Sequence, residues 1–129
     1  MILDTNVLLR LIDGEDGLQY AEVKAKLEDA LKQGQRLRVD VATIHEVVYV
    51  LRSKATGYGY SRTEVADTVH GLIRAPELTV ERPDALYRAA TDYGAQTSID
   101  FHDCYLAAKA VDMPGEEVYS LDGDFKQLQ

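Results

Sequence analysis

Four short apolar runs, separated by helix-length stretches, constrain this chain more than any other feature of it. Ile2 to Asp4, Leu37 to Val41, Leu78 to Val80 and Val118 to Leu121 read as buried strands, and the segments between them carry helical periodicity. Strand and helix in alternation predict βαβ units, and hence a mostly parallel sheet covered on both faces.

After the first run comes a brief helical turn through Leu9 and Ile12, then a loop from Asp13 to Gly17. Leu18 to Lys32 reads as an amphipathic helix with Ala21, Ala25, Leu27, Ala30 and Leu31 mostly inward and Gly34 as its stop. Thr43 to Lys54 is helical and is broken by Gly57 and Gly59. Ser61-Arg62-Thr63-Glu64 has the form of a capping box opening a helix to about Ile73, before Pro76. Pro83-Asp84 leads into a helix from Ala85 to Tyr93, and Asp100 stands where a cap would open a helix from Phe101 to Val111. Met113-Pro114-Gly115 then turns the chain into the last run. There is no internal repeat or linker-like stretch, so residues 1–129 are expected to form a single domain around one core.

Composition narrows the function. No apolar stretch approaches the roughly 20 residues of a membrane-spanning helix, and the first residues lack a signal-peptide pattern. Cys104 is the sole cysteine, which rules out an intramolecular disulfide and makes a reducing cytoplasm the default location. With 14 Lys and Arg against 22 Asp and Glu, the net charge is −8, which disfavours a nonspecific binder of nucleic acid or of anionic membranes. It leaves RNA open as a substrate, because carboxylates gathered around a cation count in that total.

The acids are the chemical signal. Asp4 and Asp122 each stand where an apolar run stops, at strand C-terminal ends, where α/β sheets place their ligands; either is also an ordinary turn residue. Asp103 shares a helical stripe with Leu106, Ala107 and Ala110, an inward position, although a first-turn acid also complements the helix dipole. Glu46 lies nearly opposite the stripe of Ile44, Val47, Val48 and Leu51. It reads as part of a solvated face or, because Tyr49 and Val50 neighbour it, as the acid of a cleft in a helix packed on several sides. Asp100 fits an N-cap and Asp124 a terminal turn. Carboxylates converging at the mouth of a sheet repel one another, and a divalent cation with hard oxygen ligands relieves that repulsion. His45, His70 and His102 lack metal-ligand spacing and read as surface or cap residues, and Cys104 as core filler.

Four segments together resemble the PIN-domain nucleases. They are Ile2-Leu3-Asp4-Thr5-Asn6-Val7-Leu8-Leu9, Thr43-Ile44-His45-Glu46-Val47-Val48-Tyr49-Val50-Leu51, the helix Phe101-His102-Asp103-Cys104-Tyr105-Leu106-Ala107-Ala108-Lys109-Ala110, and Ser120-Leu121-Asp122-Gly123-Asp124-Phe125-Lys126-Gln127-Leu128. They follow in the family's order across nearly the whole chain. At Ser120 the family more commonly has Thr. The chain departs from the family pattern in two places: almost nothing precedes Asp4 in the first strand, and no further strand follows the closing motif.

The resemblance implies a three-layer α/β/α sandwich with a mostly parallel central sheet. It also implies an acidic quartet of Asp4, Glu46, Asp103 and Asp122 that binds Mg²⁺ or Mn²⁺ and hydrolyses RNA. Asn6 matches the family's polar helper, and Thr5, Ser120, Asp100 and Asp124 are accessory positions. The small size resembles the VapC-like toxins of type II toxin–antitoxin pairs, which implies a cognate antitoxin and a homodimer. The alternatives are a non-toxin PIN-fold RNA-processing nuclease and a non-catalytic PIN-fold partner-binding module. A phosphoacceptor receiver domain is disfavoured because no Lys-Pro pair occurs, and an Asp-x-Asp phosphatase because Asp4 is followed by Thr5-Asn6. There is no Ser nucleophile elbow and no glycine-rich phosphate loop.

Overall fold

Arg38 lies in the middle of the sheet. It belongs to strand β1 (Leu37–Val39), which pairs in parallel with β2 (Leu78–Val80) in the register Leu37 to Leu78, Arg38 to Thr79 and Val39 to Val80. On its other edge, Arg38 donates its N–H to Met1 O at 2.8 Å and accepts from Leu3 N at 2.9 Å, a parallel bridge to Ile2. This computed structural model describes residues 1–121 and 123–128; the side chains of Asp124 and Lys126 are not among the described groups. Asp122, one of the four predicted ligands, therefore lies outside the described residues, as does the side chain of Asp124.

The class is α/β with a parallel sheet, as expected. Among the described residues six helices accompany it: α1 (Thr5–Asp13), α2 (Tyr20–Lys32), α3 (Val41–Arg52), α4 (Arg62–Arg74), α5 (Pro83–Ala95) and α6 (Phe101–Val111), with a 3₁₀ helix over Gly123–Leu128. Leu37 and Val39 are buried while Arg38 is exposed together with its cross-strand neighbours Ile2 and Thr79. This row alternates in and out; it is not buried on both faces.

Local chemistry sets the boundaries of these elements. Helix α2 ends in a Schellman motif: Gln35 N donates to Ala30 O and Gly34 N to Leu31 O, each at 3.0 Å, with Gly34 at φ 81°, a left-handed conformation that glycine adopts without a Cβ clash. The capping box at α4 forms as its sequence predicts, Glu64 N donating to Ser61 Oγ at 3.1 Å and Ser61 N to Glu64 Oε1 at 3.0 Å. At α3 the cap comes from far away in sequence. Asp40 occupies the N-cap position without a capping hydrogen bond from its side chain, and Val41 N instead donates to Glu81 Oε1 at 3.0 Å, from the segment just beyond β2.

Leu8, Leu37, Ile44, Leu51, Val65, Leu86, Ile99 and Cys104 are among the side chains almost fully removed from solvent in one continuous core. Each large aliphatic among them contributes about 1.5–3 kcal/mol relative to exposure.

Three expectations are corrected. The inward face of α2 is Val23, Leu27 and Ala30, whereas Ala21, Ala25 and Leu31 are exposed; the inward three share one stripe at i, i+4 and i+7, from which the other positions are turned away. The turn after Asp4 is a nine-residue helix, α1. No strand forms over Val118 to Leu121, where Tyr119 is 90% and Leu121 93% exposed. With Tyr119 and Leu121 in solvent, the segment gains little apolar burial to offset the entropy of ordering it as a strand.

Candidate functional site

Asp4 ends the first strand segment and opens α1. With extended dihedrals (φ −91°, ψ 171°), it turns its carboxylate back so that Oδ1 accepts from Asn6 N at 2.6 Å. This short, charge-assisted cap fixes the orientation of the carboxylate while leaving the residue exposed. Asn6 contributes its backbone amide to that arrangement. Thr5, between them, is buried, at 8% exposure.

Glu46 is exposed on α3, opposite the buried Ile44, Val47, Val48 and Leu51. Tyr49 at i+3 is 73% exposed, so the expectation of a helix packed on several sides is corrected: α3 buries one stripe and presents Glu46 and Tyr49 to solvent. Asp103 sits in the first turn of α6, half-buried with Leu106, Ala107 and Ala110, while Phe101, Cys104, Tyr105 and Ala108 form the deepest stripe. The inward position holds only in part, because the strand expected to cover that flank is not formed. In its place Glu116, Glu117, Val118, Phe125 and Leu128 border a cavity of about 450 Å³ against Ala107 and Ala110. Asp100 is the N-cap residue of α6, as its position predicts, although its side chain makes no capping hydrogen bond. Ser120 is exposed, outside any strand.

The sequence places the histidines as surface or cap residues, and in the structure two of them meet. His45 of α3 and His102 of α6 approach to 3.2 Å, Nε2 to Nδ1. Since His45 Nδ1 lies 2.9 Å from Val41 O, which only accepts, Nδ1 carries the proton of the neutral ring and Nε2 presents a lone pair. His102 Nδ1–H then donates to it. The His45 ring is packed edge-on against Phe101 at 5.2 Å and Tyr105 at 5.3 Å. Burial lowers the His45 pKa against the opposing effect of the Val41 carbonyl, and His102 adds to the lowering. A signal for this contact was present in the sequence: each His immediately precedes a candidate acid, in His45-Glu46 and in His102-Asp103. The contact joins α3 to α6 one residue before Glu46 and one before Asp103.

Among the described residues the ion pair is Arg10 to Asp13 at 2.8 Å, on the side of α1 away from its cap. No described cation pairs with Asp4 or Glu46. The donor chemistry fits a hard divalent cation, which prefers carboxylate oxygens. Among the described residues, no three His, Cys, Asp or Glu side chains stand close enough to share one ion, and Asp122 is outside that set. Cys104 is not a nucleophile here: it is fully buried, and burial pushes its thiol up to about 11.

A family model described as PIN domain matches residues 1–129. The chain belongs to the PIN domain family. PIN domains are generally metal-dependent nucleases, so the fold is of nuclease type and Asp4, Glu46 and Asp103 occupy the elements on which the acidic motifs were recognised. No curated protein and no solved structure matches the chain. Among the described residues no helix of this PIN domain is long and apolar enough to cross a membrane.

Proposed function

We propose that this PIN domain is a Mg²⁺- or Mn²⁺-dependent endoribonuclease, acting in the cytoplasm as the toxin of a type II toxin–antitoxin pair. The observation that carries the reading is the His45–His102 contact, which brings the Glu46 helix against the Asp103 helix even though 57 residues separate the two histidines. Asp4, Glu46, Asp103 and Asp122 would hold the cation, which when bound activates water and neutralises charge developing on the phosphate.

The chain's own residues set the conditions. The Asn6 amide orients Asp4 before any ligand arrives. Glu81 fixes the start of α3, and with it the phase at which Glu46 is presented. An exposed acidic face is poorly suited to holding RNA by bulk charge and well suited to a cationic peptide, so an Arg- or Lys-bearing antitoxin segment lying over α3 fits the same surface. A homodimer would supply the remaining substrate groove.

The test is cleavage of RNA in Mg²⁺ or Mn²⁺. Asp4→Asn and Asp103→Asn should each lower activity by at least about a hundredfold with circular dichroism unchanged, since each removes a ligand charge at constant volume. Full activity in EDTA, or in Asp103→Asn, overturns the nuclease reading. Co-expression with the product of the neighbouring upstream gene, followed by sizing and the same assay, tests the antitoxin. A monomer that forms no complex and stays active overturns the toxin assignment alone.

A further inference from the structure

The geometry points to a second metal site, separate from the carboxylates: His45 Nε2 and His102 Nδ1 form a two-imidazole clamp for a borderline divalent cation such as Zn²⁺, Ni²⁺ or Cu²⁺, bridging α3 and α6. The two nitrogens stand 3.2 Å apart. Two imidazole nitrogens each about 2.05 Å from a tetrahedral ion stand about 3.3 Å apart, so the spacing is kept while each ring pivots by about 35° to turn its lone pair from the facing nitrogen toward the ion.

The far side of the clamp is already built. Metal-bound imidazoles characteristically donate their other ring N–H to a backbone carbonyl, which fixes the tautomer and aims the lone pair. His45 does this through Nδ1–H to Val41 O at 2.9 Å, and edge-on packing against Phe101 and Tyr105 holds the ring in place. His102 is exposed and provides access from solvent. Binding replaces the hydrogen bond between the rings: the neutral His102 moves its proton from Nδ1 to Nε2, the rings turn, and both lone pairs go to the ion with no net proton released.

The ligand type determines the choice of ion. Imidazole suits Zn²⁺, Ni²⁺ and Cu²⁺, while Mg²⁺ and Ca²⁺ take oxygen. No third His, Cys, Asp or Glu joins the pair among the described residues, so water completes the coordination. The site does not depend on the nuclease reading, because its assay contains no RNA.

The experiment is a thermal-melt titration of the whole chain with Ni²⁺ and, separately, Zn²⁺. At ten times the dissociation constant the parent should melt about 5 °C higher. His102→Ala, at an exposed position, should lose at least tenfold in affinity, and His45→Gln should do the same if it folds. Glu28→Gln, an exposed acid of α2 outside both sites, should bind as the parent does. The proposal is overturned if the parent shows no shift, if His102→Ala binds within twofold of the parent, or if Asp4→Asn loses as much as His102→Ala, which would place the ion on the carboxylates.

Discussion

Gly94 of α5 lies so close to Ala66 of α4 that a Cβ built on it would stand 2.9 Å from the Ala66 Cβ. That approach lets the α4–α5 pair pack closely, with Ala66, Val69, Ala89 and Ala90 all buried along it. Gly94→Ala should destabilise the protein by about 1–3 kcal/mol by forcing the helices apart. Gly71→Ala, on the same α4 with open space at its Cβ, should instead stabilise by about 0.5–1 kcal/mol through helix propensity. Urea denaturation of the two variants decides. The same sign for both would mean that the close contact at Gly94 does not govern the packing.

Arg62 joins three segments. Its Nε donates to Tyr93 O at 2.9 Å, its Nη2 donates to Ile99 O, and the guanidinium lies 3.8 Å from the centre of the Tyr93 ring. Removing it leaves two carbonyls without their donor and one ring face uncovered. Arg62→Ala should cost about 2–3 kcal/mol, and Arg62→Lys should recover less than half of that, because an ammonium has no planar fork to reach both carbonyls. Full recovery by lysine in a denaturant titration would refute the fork.

The capping box should titrate. Glu64 has its pKa lowered from 4.5, first by the Ser61 backbone amide and then by the Ser61 hydroxyl. A lowered folded-state pKa means that the unfolded chain binds the proton more readily. The stabilisation is thus present above pH 4.5 and is lost as pH falls below it. The melting-temperature advantage of the parent over Glu64→Gln should narrow between pH 6 and pH 3, and a gap that widens on acidification would be the wrong sign. Ser61→Ala should cost about 1 kcal/mol at neutral pH.

Cys104 should be chemically silent in the folded protein. With its thiol pushed up to about 11 from an ordinary 9.0, the thiolate fraction at pH 8 falls about a hundredfold, before burial further limits access. Iodoacetamide labelling at pH 8, followed by mass spectrometry, should run at least that much slower in buffer than in urea. Equal rates would show that α6 opens readily.

Sequence alone determined the features that depend on neighbours a few residues apart. The Ser61–Glu64 box, the stop at Gly34, the buried stripe of Ile44, Val47, Val48 and Leu51, and the parallel pairing class were all legible, because caps and periodicity act within one or two helical turns. The elements that carry Asp4, Glu46 and Asp103 were legible for the same reason. What covers a helical face was not legible, since periodicity gives the angle at which a side chain points but not what packs there. Tyr49 is therefore exposed on a helix whose sequence is apolar nearly all round, Asp103 is only half-buried, and Val118 to Leu121 forms no strand despite its strand-like composition. The Glu81 cap on Val41 spans 40 residues and the His45–His102 contact 57. Each exists only because crossovers bring distant segments together, and tertiary structure alone decides that placement.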